Sequence, residues 1–157
     1  MTEPTRTPAP GAPEGPTTGA PRIRAKKAAR PQFTSTTLVL EAFVVLFATF
    51  AAYALRTVPS AWPDGVPVPS GAVVWAVGGS LVLVLLVLSR AVGSTAGYVA
   101  GTVAQIPVVA TGLVLPLMFV VAAVFLALWF VSLRLGGRID RERAAYDASH
   151  PESAPNV

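Results

Sequence analysis

The stretch AVGSTAGYVAGTVAQIPVVATGLVLPLMFVVAAVFLALWFVSL, from Ala91 to Leu133, contains no Asp, Glu, Lys or Arg. One apolar helix crosses a bilayer core roughly 30 Å thick with about 20 residues, so this stretch is long enough to cross twice. Gly112 and Pro116 interrupt it near its middle, where a chain that reverses direction needs them. The pattern predicts a membrane-embedded helical hairpin that turns between Thr111 and Pro116.

Two more apolar runs precede the hairpin. The spans read at about residues 36–55, 72–89, 95–113 and 116–133, which predicts an all-α polytopic membrane protein with four transmembrane helices. Composition agrees. The 157-residue chain is 53% hydrophobic and 13% charged, with a mean hydropathy of +0.60; a soluble domain carries about 25% charged residues. The charges sit at the two ends and in short connections, which leaves clean apolar blocks between them.

Three regions follow. Residues 1–33 read as a disordered, Pro/Gly-rich and basic tail, because Pro4, Pro8, Pro10, Pro13, Pro16 and Pro21 oppose helix and sheet and little apolar surface is present to offset ordering. The first apolar run starts near Leu38, too late and too long for a cleaved signal peptide. Residues 34–135 form the transmembrane domain, with Thr34–Thr37 offering N-cap hydroxyls for its first helix. Residues 136–157 form a charged C-terminal tail. Within it, Gly137 to Ala148 continues as a short helix and the last residues are loose. Tyr53, Trp62 and Trp75 are expected at the outer interface, and Tyr98, Trp129 and Phe130 near the inner one. Pro107 is expected to kink the third helix.

Orientation follows from the basic residues. Arg22, Arg24, Lys26, Lys27 and Arg30 precede the first span, Arg90 closes the second, and Arg134, Arg138, Arg141 and Arg143 follow the fourth. Four spans put these segments on one side, and the positive-inside rule makes that side the cytoplasm. Both termini are therefore expected to be cytoplasmic, in a multi-pass protein of the cell membrane. The run Arg22–Arg30 either serves only as this topology signal or also contacts anionic lipid. Without aromatic interleaving it does not point to nucleic acid.

Three features within the spans could carry more than packing. Glu41 is the one acidic residue in any apolar block, and an ionisable group there is costly. It either pairs with Arg90 or Arg134 or favours the positive end of its helix, or it serves transport. Gln105 either bonds across helices or lines a polar pocket. Gly93, Gly97 and Gly101 recur every fourth residue, a close-packing pattern whose partner lies in this chain or in a second copy. The chain has no Cys and one His, His150. No thiolate site, cofactor, paired-carboxylate motif or phosphate loop is legible, and no enzymatic activity is expected.

The run Leu115–Trp129, the segment Leu133-Arg134-Leu135-Gly136-Gly137-Arg138-Ile139-Asp140-Arg141-Glu142-Arg143-Ala144, Leu40-Glu41-Ala42 and Gly97-Tyr98 together resemble an actinobacterial integral membrane family, domain of unknown function 4233, over about Thr36–Ala145. The resemblance implies a four-span membrane protein without an assigned activity, encoded in a metabolic context beside folylpolyglutamate synthase. Two functions fit these readings. The first is a non-enzymatic membrane scaffold or accessory subunit that meets a membrane protein partner or another copy of itself. The alternative is an oligomeric small-solute or ion transporter or channel subunit that uses Glu41 and Gln105.

Overall fold

The computed structural model describes residues 22–155; of the tail expected to be disordered over residues 1–33, the first 21 lie outside them, and from Ala29 onward it is helical. The described chain is all-helical. Helix α1 runs Ala29–Leu55, α2 Gly71–Ala91, α3 Thr95–Ala110 and α4 Leu117–Ser149, with short 3-10 turns at Pro59–Ala61 and Thr111–Leu113. Each of the four segments carries an apolar window long enough to cross a bilayer. The hairpin reverses at Thr111–Pro116, where Val114 and Leu115 both donate to the Thr111 carbonyl. Helix α3 runs through Pro107 to Ala110.

Helix α1 packs against α2 and α4, and α3 packs against the same two, so α1 and α3 face each other diagonally. Small residues sit where the helices meet. Gly78 on α2 receives Thr49 of α1, Gly101 on α3 receives the ring of Trp129, and Gly136 on α4 lies against the backbone of Arg30. The interior holds Leu38, Ala42, Val45, Leu85, Val108, Ala122 and Trp129, but also Thr34, Thr37, Glu41, Thr49, Ser89 and Gln105. The outside is apolar: Phe47, Ile106 and Leu117 are 68%, 68% and 74% exposed. Polar groups inside and large apolar groups outside suit lipid as the medium, since water would oppose so much exposed apolar surface.

One boundary differs from the sequence reading, and the helix expected past Gly137 forms as a continuation of α4. Helix α1 starts at Ala29, about two turns before the expected span, and α4 continues without a break through Gly136 and Gly137 to Ser149. One contact explains both. The carboxylate of Asp140 accepts the N–H of Ala29 at 2.6 Å and of Arg30 at 3.0 Å, so the cap of α1 comes from α4. Thr34, Thr36 and Thr37 therefore lie inside α1, where their hydroxyls donate to the carbonyls of Arg30, Gln32 and Phe33.

Burial raises the pKa of Asp140, but the N–H groups of Arg30 and Ala29 and the charges of Arg143 and Arg30 outweigh it and hold the carboxyl below the usual range. A group with a depressed folded-state pKa contributes stability above its unfolded pKa and loses it as pH falls through the folded value. The cap is therefore intact at neutral pH and released only below the ordinary carboxylate range. Hydrogen exchange at Ala29 and Arg30, corrected for intrinsic rate, should show protection that collapses in that acid window. In Asp140→Asn that collapse should be absent.

Candidate intramembrane polar site

Glu41 lies midway along α1 and is fully buried; Gln105 on α3 is 2% exposed. The Gln105 Nε2 amide donates to Glu41 Oε2 at 2.8 Å. This bond spans the diagonal of the bundle and joins the two helices that otherwise pack through their neighbours. It forms because Glu41 falls on the same face of α1 as Leu38, Ala42 and Val45, all buried. Gln105 shares its face of α3 with Gly101, Ala104 and Val108.

Glu41 Oε1 and Gln105 Oε1 are buried without a hydrogen-bond partner. Both are acceptors, so the pair still needs a donor: a carboxyl proton, a water hydrogen or a cation. Two clefts flank the pair. One, of about 680 Å³, opens at the basic end and reaches Thr102, one turn before Gln105. The other, of about 560 Å³, is largely apolar and reaches Val45, Thr49, Pro107 and Thr111 on the opposite side. Trp129 lies on the side of the first cleft, wholly buried, and its indole Nε1 donates to Thr102 Oγ1 at 3.0 Å. Nearer the basic end, the Thr37 and Ser132 hydroxyls bond at 3.1 Å and tie α1 to α4.

The expected pairing of Glu41 with Arg90 or Arg134 does not form. Both arginines are exposed at the basic end, and Glu41 is bonded to Gln105 instead. The ion pair among the described residues is Arg138–Glu142, at 2.7 Å on the surface of α4. The glycine stripe resolves into one turn and two close contacts within this chain. Gly93 sits at φ +144 in the α2–α3 turn, a conformation few other residues adopt. A Cβ on Gly97 would strike the Ala91 carbonyl, and one on Gly101 would lie 2.5 Å from the Trp129 ring. Gly93 thus shapes a turn and does not pack between helices.

Arg30 is drawn out of the basic run into α1, while Arg22, Arg24, Lys26 and Lys27 are exposed. Trp62 and Trp129 are buried, and their indole N–H groups find internal acceptors. Trp129 bonds Thr102, and Trp62 donates to the Leu55 carbonyl at 3.1 Å and so covers the end of α1. Trp75 lies edge-on to Phe50 at 4.9 Å and near Tyr53.

Fold and site together define a small helical membrane protein of four candidate spans with a polar pair buried between its first and third helices. The chain belongs to the family described as protein of unknown function (DUF4233), whose model matches residues 32–145. No curated protein and no solved structure matches it.

Proposed function

We propose that this protein is a non-enzymatic membrane scaffold or accessory subunit, seated in the cell membrane with both termini and the α2–α3 turn on the cytoplasmic side. The observation that carries the reading is the use made of the interior polar groups. Glu41 bonds Gln105 across the bundle, and Thr37 bonds Ser132 and Trp129 bonds Thr102 between neighbouring helices, so each ties two helices together. Such bonds contribute roughly 0.6 to 2 kcal/mol each in a membrane. They leave a tied bundle whose outward face is free for lipid or another membrane protein. Arg30, Arg90 and the arginines of α4 gather at one end, which supports the cytoplasmic assignment.

A second reading, an oligomeric ion or small-solute transport subunit, is favoured by one feature: the unpartnered buried oxygens of Glu41 and Gln105, with a cleft about a turn away along the helices on either side, neither of which the pair itself lines. Flux separates the two. Purified full-length protein in liposomes loaded with a pH-sensitive dye, under a sodium or proton gradient, should match protein-free liposomes. Glu41→Gln should leave that result unchanged. A flux that depends on Glu41 overturns the scaffold reading and establishes the second.

A further inference from the structure

We propose that the cleft between the start of α1 and α3 binds one anionic phospholipid, with its phosphate on Arg30 and an acyl chain along Val99 and Val103. The cleft of about 680 Å³ is lined by Arg30, Thr95, Tyr98, Val99, Val103 and Asp140, among others. The Arg30 guanidinium lies over the Tyr98 ring, 4.3 Å from its centroid. That contact holds the cation in place but leaves its in-plane N–H donors unused. Nε is itself buried without a partner, so the terminal amino groups are the donors a ligand in the cleft would meet.

The nearest natural acceptor is Asp140, and it is already engaged. Its two oxygens accept the backbone N–H of Ala29 and Arg30, and Arg143 adds a further positive charge beside it. Its repulsion of an incoming anion is therefore largely offset. What Arg30 lacks is a negatively charged oxygen acceptor, and a phosphodiester supplies one in the geometry a guanidinium prefers.

The second wall selects the source of that phosphate. Val99 and Val103 are 59% and 56% exposed and turn to the bilayer below the charged rim. A ligand that fits both walls has an anionic head and an acyl chain, as a phospholipid does and free phosphate does not. The exposed Arg22, Arg24, Lys26 and Lys27 attract an anionic surface in general; the cleft holds one molecule.

Native mass spectrometry of the full-length protein, released from detergent holding equal phosphatidylglycerol and phosphatidylcholine, tests this. One phosphatidylglycerol should be retained over phosphatidylcholine. Arg30→Gln should lower its retention about fivefold or more, the ~1 kcal/mol of one basic residue at an anionic surface. Lys26→Gln with Lys27→Gln should leave it in place. Val103→Trp, at an outward position that spares the core, should block the chain seat and lose the lipid with Arg30 intact; it decides the matter should Arg30→Gln fail to fold. Equal retention of both lipids, unchanged retention in Val103→Trp or in a folded Arg30→Gln, or displacement by millimolar inorganic phosphate would overturn the proposal.

Discussion

Replacing Gly136 with Leu should lower the stability of the bundle by about 3 kcal/mol or more, while the same change at Gly137 should be neutral or mildly stabilising. The two residues are adjacent on α4 and differ in what faces them. A Cβ on Gly136 would lie 2.5 Å from the Arg30 Cα and 2.9 Å from its backbone nitrogen. Backbone cannot rotate aside as a side chain can, so α1 and α4 must separate. Overpacking of this kind costs about 1 to 3 kcal/mol. Separation also carries the N–H groups of Ala29 and Arg30 away from Asp140, and loss of a cap costs a further ~0.5 to 2 kcal/mol. A Cβ on Gly137 would meet only Arg141 Nη1 at 3.6 Å and Arg30 Cδ at 3.8 Å, ordinary contacts with movable ends. There the gain in helix propensity, up to about 1 kcal/mol for leaving glycine, dominates. Unfolding in mixed micelles followed by helical circular dichroism measures both. Equal and small effects at the two positions would mean that α1 does not rest on Gly136.

The same contact shows where sequence reading ends. The spans were legible because length and apolarity are local: each run is long enough for lipid whatever its neighbours do. The contact that the charged extension of α4 makes with the start of α1 was not. A helical continuation past Gly137 was legible, but the reason for Gly136 lies with Arg30, near the other end of the chain. Glu41 and Gln105 each stood out as polar groups in apolar runs. That they meet depends on helix rotation over a separation of 64 residues, which periodicity cannot reach in helices apolar on most faces. Charge suggested Arg90 or Arg134 as the partner of Glu41, but those arginines keep their water at the bundle's end. The tryptophans followed the same logic. An indole is equally suited to an interface and to a core that offers an acceptor, and only the fold reveals the Thr102 hydroxyl and the Leu55 carbonyl.

Glu41→Ala should destabilise the protein by about 2 to 4 kcal/mol, and most of that comes from what the missing side chain leaves behind. The bond to Gln105 itself contributes roughly 1 kcal/mol. Truncation also opens a cavity on the diagonal of the bundle and orphans the Gln105 amide in a dry interior, at a further cost of about 1 to 3 kcal/mol. Glu41→Gln keeps the volume and an acceptor oxygen for Gln105 Nε2, so it should fall within about 1 kcal/mol of the wild type. The informative variant changes both partners. Glu41→Met with Gln105→Leu removes the bond but also every buried polar atom that needs one, and such paired replacements are often close to neutral. If the pair serves only to tie α1 to α3, the double variant should unfold near the wild-type midpoint and support the protein's cellular role as well as the wild type does. If a carboxyl group is needed for movement of a proton or cation, the double variant should be equally stable yet inactive, and Glu41→Gln should fail with it. Stability and activity thus diverge in one reading and stay together in the other, so a reversible unfolding measurement beside a complementation assay distinguishes a tie between helices from a site of transport.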